Sequence, residues 1–275
     1  MSKRNRTELA LHYLILGLIA IVFVLPMLWM VFASFDAQAI QALRLPYSPT
    51  LDNFSAILGS ESIRRSFVNG FIISGGQSIL VVLICILAAY PLSRFRMKHK
   101  KSVMMTILFL TSLPITAVMV PVYQLFLRLR FLDSIPMVTL YLTATALPYG
   151  IWMMKNFMDS VPLDLEESAW VDGASVFQGI RKVVTPLMIP GICTVAIFTF
   201  TGSWGNFFVP FMLLNSPDNL PSSVTIFQFF GQFGMVDFGR LAAFSVLQTL
   251  PVVVLYALSQ SVMSKGFSLG GATKG

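Results

Sequence analysis

The stretch from Leu9 to Phe35 reads LALHYLILGLIAIVFVLPMLWMVFASF. It contains no Asp, Glu, Lys or Arg, and it follows the basic residues Lys3, Arg4 and Arg6. A basic start before an apolar run is also how a secretory signal begins, but the apolar core of a signal is only about 7–15 residues long. A helix needs about 20 apolar residues to cross a hydrocarbon core of about 30 Å. The stretch is therefore read as an uncleaved first membrane span.

Five further runs follow the same rule, at about 67–92, 102–127, 135–154, 187–214 and 241–264, and none carries an acidic or basic residue. The whole chain is 56% hydrophobic and 11% charged, where a soluble domain carries about a quarter charged residues. The expectation is an all-α integral membrane protein of six spans, one transmembrane domain over residues 1–275. Pro26, Pro114, Pro121, Pro148, Pro210 and Pro251 lie inside the runs. Membrane helices tolerate proline where neighbours satisfy the freed carbonyls, so kinks are expected there.

The net charge of +7 has a topological reading. Thirteen of the nineteen Lys and Arg fall on one side of the membrane if the N-terminus is cytoplasmic, with Arg94, Arg96, Lys98, Lys100 and Lys101 the densest cluster. By the positive-inside rule both termini face the cytoplasm. Charges confined to short loops between apolar runs argue against nucleic acid as a partner; the surface they meet is membrane lipid. Cys85 and Cys193 sit inside apolar runs with no metal spacing, and His12 and His99 have no ligand set nearby.

One loop is patterned. Residues 159–190 read DSVPLDLEESAWVDGASVFQGIRKVVTPLMIP. Ser160 is a candidate cap and Pro162 suits a first turn. Asp164, Glu166 and Glu167 then lie where the helix dipole favours negative charge. Asp172-Gly173 can end this short helix through a left-handed glycine. Val176, Phe177, Ile180, Val183, Val184 and Leu187 repeat at helical period, which predicts a second, amphipathic helix whose apolar face, Val176, Phe177 and Ile180 first, holds the pair against the membrane helices. Taken on the residues alone, a helix pair lying on the lipid surface fits equally well.

This segment resembles the cytoplasmic signature of binding-protein-dependent ABC importer permeases. The family's Glu-Ala-Ala triplet is Glu167-Ser168-Ala169 here, its glycine is Gly173, and its Ile-x-Leu-Pro ending is Val183-Val184-Thr185-Pro186. Ser168, Val183 and Thr185 are mild departures. Asp172-Gly173-Ala174, Trp204-Gly205-Asn206-Phe207-Phe208 and the tail Gly270-Gly271-Ala272-Thr273-Lys274-Gly275 are similar to the carbohydrate-uptake branch, the maltose-type permease pair. The resemblance implies the type I importer permease fold and a coupling helix formed by Glu166, Glu167, Ser168, Ala169, Asp172, Gly173 and Ala174. It implies as partners a second permease subunit, an ATPase dimer and an external solute-binding protein, in a bacterial inner membrane, with a sugar as cargo and alternating access as mechanism.

The chain has no phosphate-binding G-x-x-x-x-G-K-[ST] loop, so ATP and Mg²⁺ are expected on the partner ATPase and no cofactor or catalytic residue here. The spans lack the ionisable residues that ion-coupled carriers and membrane enzymes use. A stand-alone secondary carrier or channel, and a membrane-anchored scaffold, are the competing readings. For the substrate pathway the candidates are Trp204 and Asn206, then Asn69, Gln77, Gln124 and Gln248, since sugars bind to aromatic faces and amides. The alternative for each is interhelical hydrogen bonding, at about 0.6–2 kcal/mol apiece.

Overall fold

A computed structural model of the chain describes residues 3–231 and 235–271. The end of the glycine-rich tail, Ala272-Thr273-Lys274-Gly275, lies outside the described residues, as do Met1 and Ser2. The described chain is helical, with isolated bridges at Asp36–Pro49 and Phe230–Val236. The elements are α1 (Lys3–Ser34), α2 (Asp52–Gly59), α3 (Glu61–Arg94), α4 (Lys100–Thr111), α5 (Ile115–Leu129), α6 (Ile135–Asp159) and α7 (Leu163–Val171). Then come α8 (Val176–Gly179), a π-helical turn (Ile180–Val184), α9 (Thr185–Leu187), α10 (Ile189–Trp204), α11 (Phe208–Leu213), α12 (Ser222–Thr225) and α13 (Phe238–Gly271).

Among the described residues, four helices are long and apolar enough to cross a membrane: Leu11–Ser34, Glu61–Arg94, Ile135–Asp159 and Phe238–Gln260. Two bent pairs bring the number to six if each pair is one span. The third run expected at 102–127 is not one straight helix, because α4 and α5 meet at 87°. Pro114 has no N–H to continue the ladder and pushes Leu113 out of the helical region. The Leu113 N–H takes the Leu110 carbonyl that Pro114 cannot reach, at 3.4 Å, and the hydroxyls of Thr111 and Ser112 fold back onto the carbonyls of Leu108 and Phe109, at 2.6 and 2.7 Å. The fifth run, 187–214, also breaks. The segment Val176–Leu187 meets α10 at 77° just before Pro190. Gly205 and Asn206 then separate α10 from α11, with the Asn206 side-chain carbonyl accepting the Val209 N–H at 3.0 Å.

The chain divides into two compact units. One holds Met1–Arg64 with Thr225–Pro251. Its hub is Asp36, whose carboxylate accepts the N–H groups of Gln38 and Ser48 and the Arg44 guanidinium. The Gln38 N–H foremost, then those of Ser48 and Tyr47 and the hydrogen bond from the Arg44 side chain, outweigh burial and hold this carboxyl at about 2. Asn53 ties α2 to the same corner by donating to the carbonyls of Ser34 and Asp36.

The other unit holds Arg65–Val224 with Val252–Gly275. Here α3, α6 and α10 pack through Val81, Cys85, Met154 and Val195. Small residues permit the close approach: a β-carbon on Gly150 would lie 2.7 Å from Cys85 Sγ, and one on Gly191 would lie 2.5 Å from Phe157 Cγ. A second cluster joins α3, α5, α6 and α11 through Ile73, Met119, Phe126, Leu142 and Leu213. With no hydrophobic gain available in lipid, such close packing is what holds membrane helices together.

Candidate functional site

The patterned loop forms the expected pair of short helices, with a different start. Ser160 does not cap α7. Its N–H and hydroxyl both donate to Phe157 O, closing α6, which runs five residues further than the sequence indicated. Pro162, in extended conformation, opens α7 instead. At the other end the Gly173 N–H donates to Trp170 O at 3.0 Å and the Ala174 N–H to Ala169 O at 2.9 Å. These two bonds are a complete Schellman closure. Gly173 has φ +87°, the left-handed conformation that a side chain disfavours.

The chain then restarts at once. The Ser175 hydroxyl accepts the Gln178 N–H, and the Gln178 side chain accepts the Ser175 N–H, which together make a capping box. The second helix is not uniform. After one α-turn it passes through the π-helical turn Ile180–Val184, whose wider period rotates the residues before it relative to those after it. The expectation that Val176, Phe177 and Ile180 share an inward face is therefore corrected. Ile180 and Val184 pack in the core, whereas Val176 and Phe177 are exposed, Phe177 at 64%.

The two adjacent glutamates of α7 have opposite environments. Glu167 is exposed, as are Ser168, Asp172 and Gly173; Ala169 and Ala174 are half-buried. Glu166 is fully buried. Arg94 Nε donates to its Oε1 at 2.5 Å and Tyr90 Oη to its Oε2 at 3.1 Å. Arg94 Nη2 also donates to Val161 O at 3.0 Å, in the linker between α6 and α7. One residue before, Ser93 Oγ donates to Asp159 Oδ1 at 2.6 Å, and Asp159 pairs with Lys155. So α3, the end of α6 and α7 meet in one polar cluster, whose arginine reads in the sequence as one more topology charge. Outside it, α7 presents Leu165, Glu167 and the 87%-exposed Val171, with Val176 and Phe177 alongside.

The pathway candidates are dispersed. Trp204 is 3% exposed and lies among Phe67, Phe71 and Phe200, with the Phe71 centroid at 4.6 Å. Gly70 lets it in, since a β-carbon there would be 3.0 Å from Trp204 Cζ3. Asn69 donates to the carbonyls of Asp218 and Leu220, and Gln77 donates to Leu142 O at 3.1 Å. These three residues occupy packing positions. Asn206 and Gln248 are half-buried, and Gln124 is exposed on α5.

A residue missed in the sequence, Asp133, organises the opposite end of the same unit. Its backbone has φ 60°, and its carboxylate accepts the N–H groups of Asn215 and Ser216, both at 2.9 Å, and the Ser216 hydroxyl. Burial opposes the charge, but these donors from Ser216, Asn215 and Asn219 hold the carboxyl down to about 2. Arg65 pairs with Asp218 on the same loop.

Residues 81–268 match the family described as binding-protein-dependent transport system inner membrane component. The galactooligosaccharides transport system permease protein of Bacillus subtilis is 30% identical, over 100% of this chain and 99% of its own. The sulfoquinovosyl glycerol transport system permease protein of Agrobacterium fabrum is 28% identical, over 90% of this chain and 87% of its own. Among solved structures, a bacterial ABC transporter involved in the import of the acidic polysaccharide alginate superposes with a TM-score of 0.82 at 20% identity, covering 95% of this chain and 98% of that one. The fold is thus that of a type I ABC importer permease. The match spans the capped helix, its inward anchor and most of the membrane helices around them, and the chain belongs to the family of binding-protein-dependent transport system inner membrane components.

Proposed function

We propose that the chain is one of two permease subunits of an ATP-driven importer for a sugar or oligosaccharide, lying in a bacterial inner membrane with both termini in the cytoplasm. The names of its relatives support the cargo, and the Lys and Arg asymmetry supports the orientation. The coupling segment is α7 with its Schellman turn and the start of α8. The observation that carries this assignment is the two-sidedness of α7. Its buried face is fixed by Glu166, while its exposed face carries Leu163, Leu165 and Val171 together with the carboxylates of Asp164 and Glu167, and Phe177 is exposed on the helix that follows. Such a surface on a short, doubly closed helix suits a groove on the ATPase. ATP and Mg²⁺ act there, and an external solute-binding protein delivers the cargo. Asn206 and Gln248 remain the candidates for cargo contact from this subunit, so the second permease supplies much of the cavity.

The test is a tagged pull-down from gently solubilised membranes, comparing native chain with Glu167→Lys. Recovery of an ATPase and a second permease with the native chain, and loss of the ATPase alone from the variant, is the expected result. A native chain that comes down by itself and transports in liposomes without ATP overturns the reading in favour of a secondary carrier.

A further inference from the structure

We propose that Arg94 and Glu166 are positioning residues for coupling, forming with Tyr90 a strut that makes α3 follow α7. The inference rests on the reading that α7 docks on an ATPase. It goes beyond that reading by naming which membrane helix receives the motion and through which atoms.

The argument begins with what a buried ion pair is good for. The two side chains are 7% and 0% exposed. Desolvating two charges costs several kcal/mol per ion, and replacing such a pair by apolar side chains of like volume is often neutral or stabilising. Fold stability alone therefore does not account for it. A hydrogen-bonded pair does provide a contact of fixed length and direction. Apolar side chains slide past one another with little change in energy, whereas N–H···O bonds weaken steeply with distance and angle. Glu166 is held at both oxygens, by Arg94 at 2.5 Å and Tyr90 at 3.1 Å. Tyr90 and Arg94 lie one turn apart on α3, so the carboxylate bridges a full turn of that helix. Arg94 also grips Val161 O ahead of α7, fixing the helix from the side of its entry. A displacement of α7 along or away from α3 must break several of these bonds or carry α3 with it. Among the described residues the exposed Glu167 next to it has no such partner, and it faces outward, so the two neighbouring carboxylates divide docking from transmission.

The test uses the complete importer in proteoliposomes with its binding protein and cargo, reading cargo moved per ATP hydrolysed. The informative variant is Arg94→Met with Glu166→Leu, which keeps volume but removes directionality. The complex is expected to assemble and hydrolyse ATP, while the coupling ratio falls about tenfold, within the range that altered coupling networks give. A native ratio in this variant overturns the strut. Should the double variant fail to assemble, Tyr90→Phe, which removes one hydrogen bond and keeps the ring, decides. A ratio lowered about threefold supports the proposal, and an unchanged ratio overturns it. Failure of the underlying docking assignment looks different, because then no ATPase accompanies even the native chain.

Discussion

Substituting Gly173 separates backbone geometry from side-chain contact at the turn that closes α7. Its φ is +87°, and a β-carbon built there meets nothing within 4 Å. Steric conflict is thus absent, and the whole penalty of a side chain is conformational, about 1–2 kcal/mol for an ordinary L-residue in the left-handed region. The helix it closes has nine residues, and isolated helices shorter than about 12–15 residues are marginal in water. A penalty of that size therefore acts on a segment with little reserve, and it lowers the docking-competent fraction by about 5- to 30-fold. Asn tolerates the left-handed region best among non-glycine residues, and a β-branched residue tolerates it worst. Asp adds a negative charge beside Asp172 at the negative end of the helix dipole, about 0.3–1 kcal/mol beyond Asn. The expected order of ATP-driven uptake, at matched membrane levels, is Gly, then Asn, then Ala and Asp, then Val. Gly173→Asp should uncouple uptake while the protein stays in the membrane. The assay is cargo uptake into proteoliposomes of the assembled importer. Uptake by Gly173→Val equal to that of the native protein would falsify the argument, because nothing but the backbone opposes that substitution.

Other expectations follow from the same geometry. Trp204→Ala should lower the thermal stability of the solubilised protein by about 3–5 kcal/mol, the usual cost of emptying an aromatic core site, while Trp204→Phe keeps uptake; loss of uptake in a stable Trp204→Phe protein would return the indole to the cargo pathway. Gly191→Ala, which drives a methyl group to 2.5 Å from Phe157, should destabilise the α6–α10 contact by about 1–3 kcal/mol, seen as reduced membrane levels or a lowered melting temperature, and a protein as stable as the native one contradicts the close approach. Asp133→Ala removes the acceptor of the half-buried Ser216 N–H and the exposed Asn215 N–H, at about 1 kcal/mol, the low end of the cost of an unsatisfied group because water reaches the loop; limited proteolysis should cut residues 214–219 faster, and unchanged cutting refutes the lock. Because folding lowers the Asp133 carboxyl from 3.8 to about 2, its contribution is complete above about pH 4 and lost as pH falls toward 2. Proteolytic protection of this loop should accordingly be flat from pH 5 to 8.

The membrane class and the position of each span were legible because apolar runs free of charge have no other stable home. The ends of the spans were less so. α6 continues to Asp159 because Lys155 and Asp159 pair one turn apart at its polar end, a local interaction that a hydropathy boundary ignores. The 87° break at Pro114 was visible only as an expected kink, since the sequence does not say that the last turn tightens so that the Ser112 and Leu113 N–H groups reach the carbonyls of Phe109 and Leu110. In the 159–186 segment, Gly173 could be read because its conformation is demanded locally. Glu166 and Glu167 could not be told apart, because what separates them is Arg94, more than seventy positions earlier. The inward face of the second helix was misplaced because a π-turn changes the period on which the reading relied.

The length of α3 has a mechanical consequence. Its 34 residues extend about 51 Å at about 1.5 Å per residue, well beyond the hydrocarbon thickness of about 30 Å. Gly75 and Gly76 stand near its middle, some 27 Å from Arg94 on the same scale. If the helix turns about that midpoint, a rotation of about 10° swings the Arg94 end by roughly 5 Å, about one helical pitch. Arg65 and Asn69, about 10–17 Å beyond the pivot on the same scale, swing by about 2–3 Å in the opposite direction. Both of those residues hold the 218–220 loop. A lever of this length lets a push at the Arg94 end reposition the 218–220 loop at the other end although no side chain between the two ends changes its rotamer.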